Sequence, residues 1–75
     1  MKGFALAAVI LDEIARDSGL TVSLIQGMGR ERTLLAAKKL ARYRLLSETD
    51  LSCKEVATLT GATKIYRAKV LRQVS

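Results

Sequence analysis

Glycine marks most of the helix stops in this chain. Proline is absent, and Gly19, Gly27, Gly29 and Gly61 fall where an apolar period of about 3.6 residues breaks off. Ala and Leu are abundant, which favours helix, and the apolar residues recur with a helical period. A chain this short buries about 60 % of its unfolded surface. The single cysteine, Cys53, excludes a disulfide that would add to that stability.

Five helices can be placed. The first spans about Phe4 to Asp17, with Leu6, Ile10 and Ile14 as its apolar stripe and Gly19 as its stop. A short helix follows, capped by Thr21 or Ser23, carrying Leu24 and Ile25 and closed by Gly27. A long helix is predicted from about Arg30 to Leu46. Leu34, Ala37, Leu40, Ala41 and Leu45 form its apolar face, with Lys38, Lys39, Arg42 and Arg44 largely off it. After the polar string 47–50, Ser52-Cys53-Lys54-Glu55 has the form of a capping box just before Val56, Ala57 and Leu59. Gly61 ends that fourth helix. The last is predicted from Thr63, its cap, to Val74. Ile65, Ala68 and Leu71 are expected in its core, in preference to the stripe of Tyr66, Val70 and Val74. The expected fold is a single all-α domain over residues 1–75, a small bundle of about five helices with a C-terminal helix-turn-helix at about 52–74.

Charge divides the chain unevenly. Residues 1–27 have a net −1, with Asp12, Glu13 and Asp17 on the first helix, whereas residues 28–75 have a net +7. A compact basic domain points first to nucleic acid. Lys2 before the apolar run Phe4–Leu11 has a faint likeness to a secretory signal, but Asp12 and Glu13 follow at once and no cleavage site does. Eight apolar residues also fall short of the roughly 20 that span a bilayer, so no membrane role is expected. The lone thiol fits a reducing, cytoplasmic setting.

Enzyme chemistry finds little to work with. There is no His, hence no usual proton shuttle, metal ligand or partner for a nucleophile, and no carboxylate pair stands out as a site. Gly27-Met28-Gly29 lacks a preceding strand and the Gly-Lys-Ser/Thr ending of a phosphate loop. Cys53 sits in the first turn of a helix, where a thiol pKa can fall, though a small residue behind a cap accounts for it as well. No enzyme activity, cofactor, metal or small-molecule substrate is expected.

A short capped helix, a Gly-containing turn of three or four residues and a basic second helix together describe a helix-turn-helix. Its second helix leads with its N-terminal end into the major groove, where each base pair has a distinct donor and acceptor pattern. That end carries Thr63, Lys64 and Arg67, the expected base readers. With Ile65, Ala68 and Leu71 in the core, Tyr66 is left for a phosphate or a protein partner. The 38–44 cations suit phosphate tracking, Lys38 foremost, although such a run is as often a solvated face.

From Val22 to about Gly61 the chain resembles the C-terminal DNA-binding domain of the bacterial replication initiator DnaA. The matching stretches are Val22-Ser23-Leu24, Gly27 with Arg30 and Arg32, Ala37-Lys38-Lys39-Leu40-Ala41-Arg42-Tyr43, and Leu51-Ser52 followed by Glu55-Val56 and Gly61. The resemblance implies that Arg30 and Arg32 reach phosphates or the minor groove, and that the last helix lies in the major groove. The family's Asp-His-Thr base-reading run is missing, replaced by Ala62-Thr63-Lys64-Ile65, so its target sequence does not carry over. The expectation is a stand-alone bacterial, phage or plasmid regulator that binds double-stranded DNA in transcription or replication control. The alternative is a protein-interaction adaptor that docks partners on the acidic first helix or the Tyr66 face. The two readings part on whether the 30–44 and 63–72 cations converge on one face or scatter.

Overall fold

The computed structural model describes residues 3–74, with the backbone alone at Gln73 and Val74. It holds α1 (Phe4–Ser18), α2 (Val22–Gln26), α3 (Arg32–Glu48), α4 (Cys53–Leu59) and α5 (Arg67–Val74), with no strand among the described residues. The all-helical bundle expected from the periodicities is therefore the fold. Met1, Lys2 and Ser75 lie outside the described residues, as does any burial of Val74.

The helix ends follow local chemistry. Gly19 closes α1 at φ 67°, the left-handed region that costs glycine nothing, and the Leu20 N–H returns to the Ala15 carbonyl at 2.8 Å. Thr21, rather than Ser23, caps α2: its hydroxyl accepts from the Leu24 N–H at 3.2 Å. In α4 the capping box is complete. Ser52 Oγ accepts from the Glu55 N–H at 3.2 Å, and Glu55 Oε1 accepts from the Ser52 N–H at 2.9 Å. Asp50, in the connection before α4, accepts from the Gly3 N–H at 2.7 Å and so ties down the start of α1.

The core stripe of α1 is Ala7, Ile10, Leu11, Ile14 and Ala15, the spacing of one helix face. Leu6, expected inside, is exposed, because the stripe is centred one position further round the helix. α3 packs against α1 and also meets α2, α4 and α5, which makes it the organising element. Its buried residues are Leu34, Ala37, Lys38, Ala41, Leu45 and Leu46. Two expectations change here. Leu40 is exposed, and Lys38, expected on the polar side, is only 2 % exposed and lies in the stripe.

The C-terminal pair departs furthest from expectation. α5 begins at Arg67, not Thr63, so seven residues from Thr60 to Tyr66 join it to α4 in place of a tight turn of three or four. Thr63 and Lys64 therefore stand in a loop and do not lead a helix. Gly61, at φ 66°, reverses the chain after α4, and the Ala62 N–H donates to the Ala57 carbonyl at 2.9 Å. Ile65 then packs partly buried against the core, which holds 63–66 out of helix. The first α5 hydrogen bond runs from the Val70 N–H to the Tyr66 carbonyl at 3.0 Å. α5 packs chiefly on α3. Among its described side chains Val70 is buried, Leu71 half-buried and Ala68 exposed, with Ile65 half-buried just before it, so the expected core stripe of Ile65, Ala68 and Leu71 is only partly realised.

Candidate nucleic-acid interface

The candidate interface is built on a cluster of cations that meet backbone carbonyls. Lys38 Nζ donates to the Gly27 carbonyl at the end of α2 and, at 3.2 Å, to the Thr60 carbonyl at the end of α4. One turn on, Arg42 Nη2 reaches the same Thr60 carbonyl at 3.1 Å and its Nε the Thr60 hydroxyl at 3.0 Å. That hydroxyl donates in turn to the Val56 carbonyl at 2.8 Å, and Thr60 is fully buried. Carbonyls at helix C-termini carry partial negative charge and lack intrahelical partners, which is why two cations are accepted there without a carboxylate. Burial, and next the charge of Arg42, holds the Lys38 ammonium below the ordinary lysine value. Burial likewise lowers Arg42 from the ordinary arginine value.

Two adjoining grooves open around this cluster. One, of about 240 Å3 between α3 and α5, is walled by Lys39, Arg42, Lys64 and Lys69, with Ile65, Tyr66 and Val70 completing it. The other, of about 220 Å3, runs past Arg30, Gly61 and Thr63 and has Lys38 at its floor. Arg42 and Lys64 line both, and neither groove contains an acid. The Lys64 ammonium lies 5.3 Å from the Tyr66 ring centroid, within range of a cation–π attraction, and Tyr66 itself is 59 % exposed. Arg30, Lys39 and Arg42 from the 30–44 segment thus meet Lys64 and Lys69 from the 63–72 segment, whereas Arg32, Arg44, Arg67 and Arg72 line neither groove.

The sequence-derived site residues fall into three groups. Arg30, Thr63, Lys64 and Tyr66 line the grooves. Lys38 belongs to the same place but is corrected in role, since its ammonium is committed to two carbonyls beneath the surface. Arg32, exposed at the start of α3, lines neither groove. Arg67 lines neither as well; its Nη2 donates to the Leu46 carbonyl at 3.3 Å, turning it towards the end of α3. Lys39 and Arg42, in sequence only members of the 38–44 run of phosphate-tracking cations, and Lys69, which nothing in the sequence marks, complete the lining. The signal for the first two was their spacing of three, which puts both on one face of α3.

The remaining charges sort elsewhere. Arg44, two residues and about 200° round α3 from Arg42, pairs with Glu48 at 2.8 Å and Glu13 at 3.3 Å. The hydrogen bond that Arg44 donates to Glu48, ahead of other contributions, raises Arg44, and the same bond lowers Glu48. Asp12 pairs with Arg16 at 3.1 Å. Three of the acids are thereby placed away from the grooves. Among the described residues no helix is long and apolar enough to cross a membrane, and no three His, Cys, Asp or Glu side chains are grouped to hold a metal ion.

Fold and site together define a small all-helical protein with two adjoining basic grooves, neither lined by an acid. No protein-family model matches the chain, and neither does any curated protein or solved structure.

Proposed function

We propose that this protein binds double-stranded DNA sequence-specifically, as a small regulator of transcription or replication in a bacterial or phage cytoplasm. One observation carries the reading: Arg30, Lys39, Arg42, Lys64 and Lys69 come from segments far apart in the chain, yet line two adjoining grooves that contain no acid. An adventitious spread of surface lysines would intermix with carboxylates, as the Arg44 network does. Convergent cations neutralise phosphates and release condensed counterions, the sequence-independent part of affinity. Base reading falls to Lys64, Thr63 and the 62–66 loop, and less to the start of a recognition helix. The resemblance to the initiator's DNA-binding domain adds support for the same ligand.

The test is selection of bound sequences from random duplex DNA. A short common sequence should be enriched, and its enrichment should fall when Lys64 is replaced by Ala. Absence of any DNA retention at low salt would remove the reading. The adaptor alternative draws on Phe4, Leu6 and Val9, which stay exposed on α1. It gains if DNA is not retained while a protein partner is released by Val9→Asp.

A further inference from the structure

The groove between α3 and α5 contains more than a paired phosphate backbone needs. Phosphates are met by cations on long arms at a convex surface. Here Val70, only 7 % exposed, and half-buried Ile65 supply an apolar floor, with the exposed phenol ring of Tyr66 as a wall. Aliphatic side chains and an aromatic face gain nothing from phosphate. They do gain from the flat face of a nucleobase, which stacks on aromatic rings whatever its identity. The Lys64 ammonium over the ring steadies that wall, and Lys39, Arg42 and Lys69 surround the opening with positive charge. The groove therefore has a place for a base and counter-charges for the phosphates beside it.

Resting on the reading of this face as a DNA interface, we propose that the groove takes an unpaired nucleotide. Its base lies against Tyr66 over Ile65 and Val70, and its flanking phosphates meet Lys39 and Lys69. A base inside an intact duplex must first be unpaired and unstacked, which disfavours it against one already free. The preferred ligand is accordingly DNA with a bulged or extruded nucleotide, as arises where strands begin to separate.

Fluorescence anisotropy at constant low salt would compare a fully paired duplex, the same duplex with one unpaired thymidine, and an oligothymidylate. The unpaired thymidine should tighten binding by roughly tenfold or more, within the range of a stacked base. Tyr66→Ala should abolish that gain, so that the bulged and the paired duplex bind alike in this variant, while Tyr66→Phe should keep it. Lys39→Ala should weaken all three probes alike. Thermal melting of each variant confirms that it is folded. Equal binding of paired and bulged duplexes overturns this inference and leaves the duplex reading standing. Binding of oligothymidylate alone, lost in Tyr66→Ala, supports the inference and overturns the duplex reading. Retention of no probe overturns both.

Discussion

Gly61 and Gly19 share a backbone conformation and differ in surroundings, so together they separate two costs of a side chain. Both have φ near 66°. A Cβ at Gly19 meets nothing within 4 Å, so Gly19→Ala should cost only the left-handed penalty of about 1–2 kcal/mol. A Cβ at Gly61 would stand 1.8 Å from the Gly27 carbonyl oxygen and 2.6 Å from Lys38 Nζ. Gly61→Ala must therefore displace the backbone that Lys38 holds, and should cost at least about 3 kcal/mol by adding lost packing and hydrogen bonds to the same penalty. Urea melts of the two variants measure the difference, and equal losses would refute the close approach. Lys38 offers a second measurement. Lys38→Met retains most of the volume but removes the donor to Gly27, an expected loss of about 1–2 kcal/mol at neutral pH. Because the folded Lys38 pKa is lowered from 10.5, the unfolded chain binds the extra proton between the two values, and wild-type stability gains from this group as pH rises through that window. The cost of Lys38→Met should accordingly grow as pH approaches 10.5, as read by melts across an alkaline series.

The elements differ in how much of each can be read from neighbouring residues. α1, α2 and α4 end and begin on chemistry contained within a few positions: Gly19, Thr21, and the Ser52–Glu55 box. The box is the strongest of these signals and gives the plainest prediction. Ser52→Ala should lower stability by about 1 kcal/mol, seen as a drop in Tm without a change in fold. α5 was not legible in the same way. Thr63 looks like a cap, but Ile65 is drawn towards the core and the helix waits until Arg67. What decides its start is a tertiary contact, to which local propensity is blind. Lys38 was misread for the converse reason. Positions 34, 37, 38, 41 and 45 trace one helical stripe, so the period did place residue 38 inside, and its charge argued otherwise. A buried lysine becomes intelligible only once the carbonyls of Gly27 and Thr60 are seen to face it. The candidate site was legible as a set of charges and not as a surface, since Arg44 and Arg42 look alike in sequence but face different partners.

Across the whole molecule, Asp12, Glu13 and Glu48 pair with Arg16 and Arg44, and no acid lines the grooves where the other cations meet. Binding to duplex DNA should follow from that partition with a steep ionic-strength dependence. If about 4–6 phosphates are neutralised, log K should fall against log[salt] with a slope of about −4 to −5. Titrations at several salt concentrations check this, and a flat profile would contradict it. The knot of Gly27, Lys38, Thr60 and Gly61 has a further consequence, which concerns the order of events when the chain folds. It joins the ends of α2 and α4 through a side chain of α3, over separations of 11 and 22 residues, and needs all three helices in place before its carbonyls and cation can meet. Contacts of that kind mature after local ones. Weakening the knot should therefore leave the folding limb of a chevron almost unmoved and steepen escape from the native state, so that this small protein's persistence in time is governed by a latch closed last.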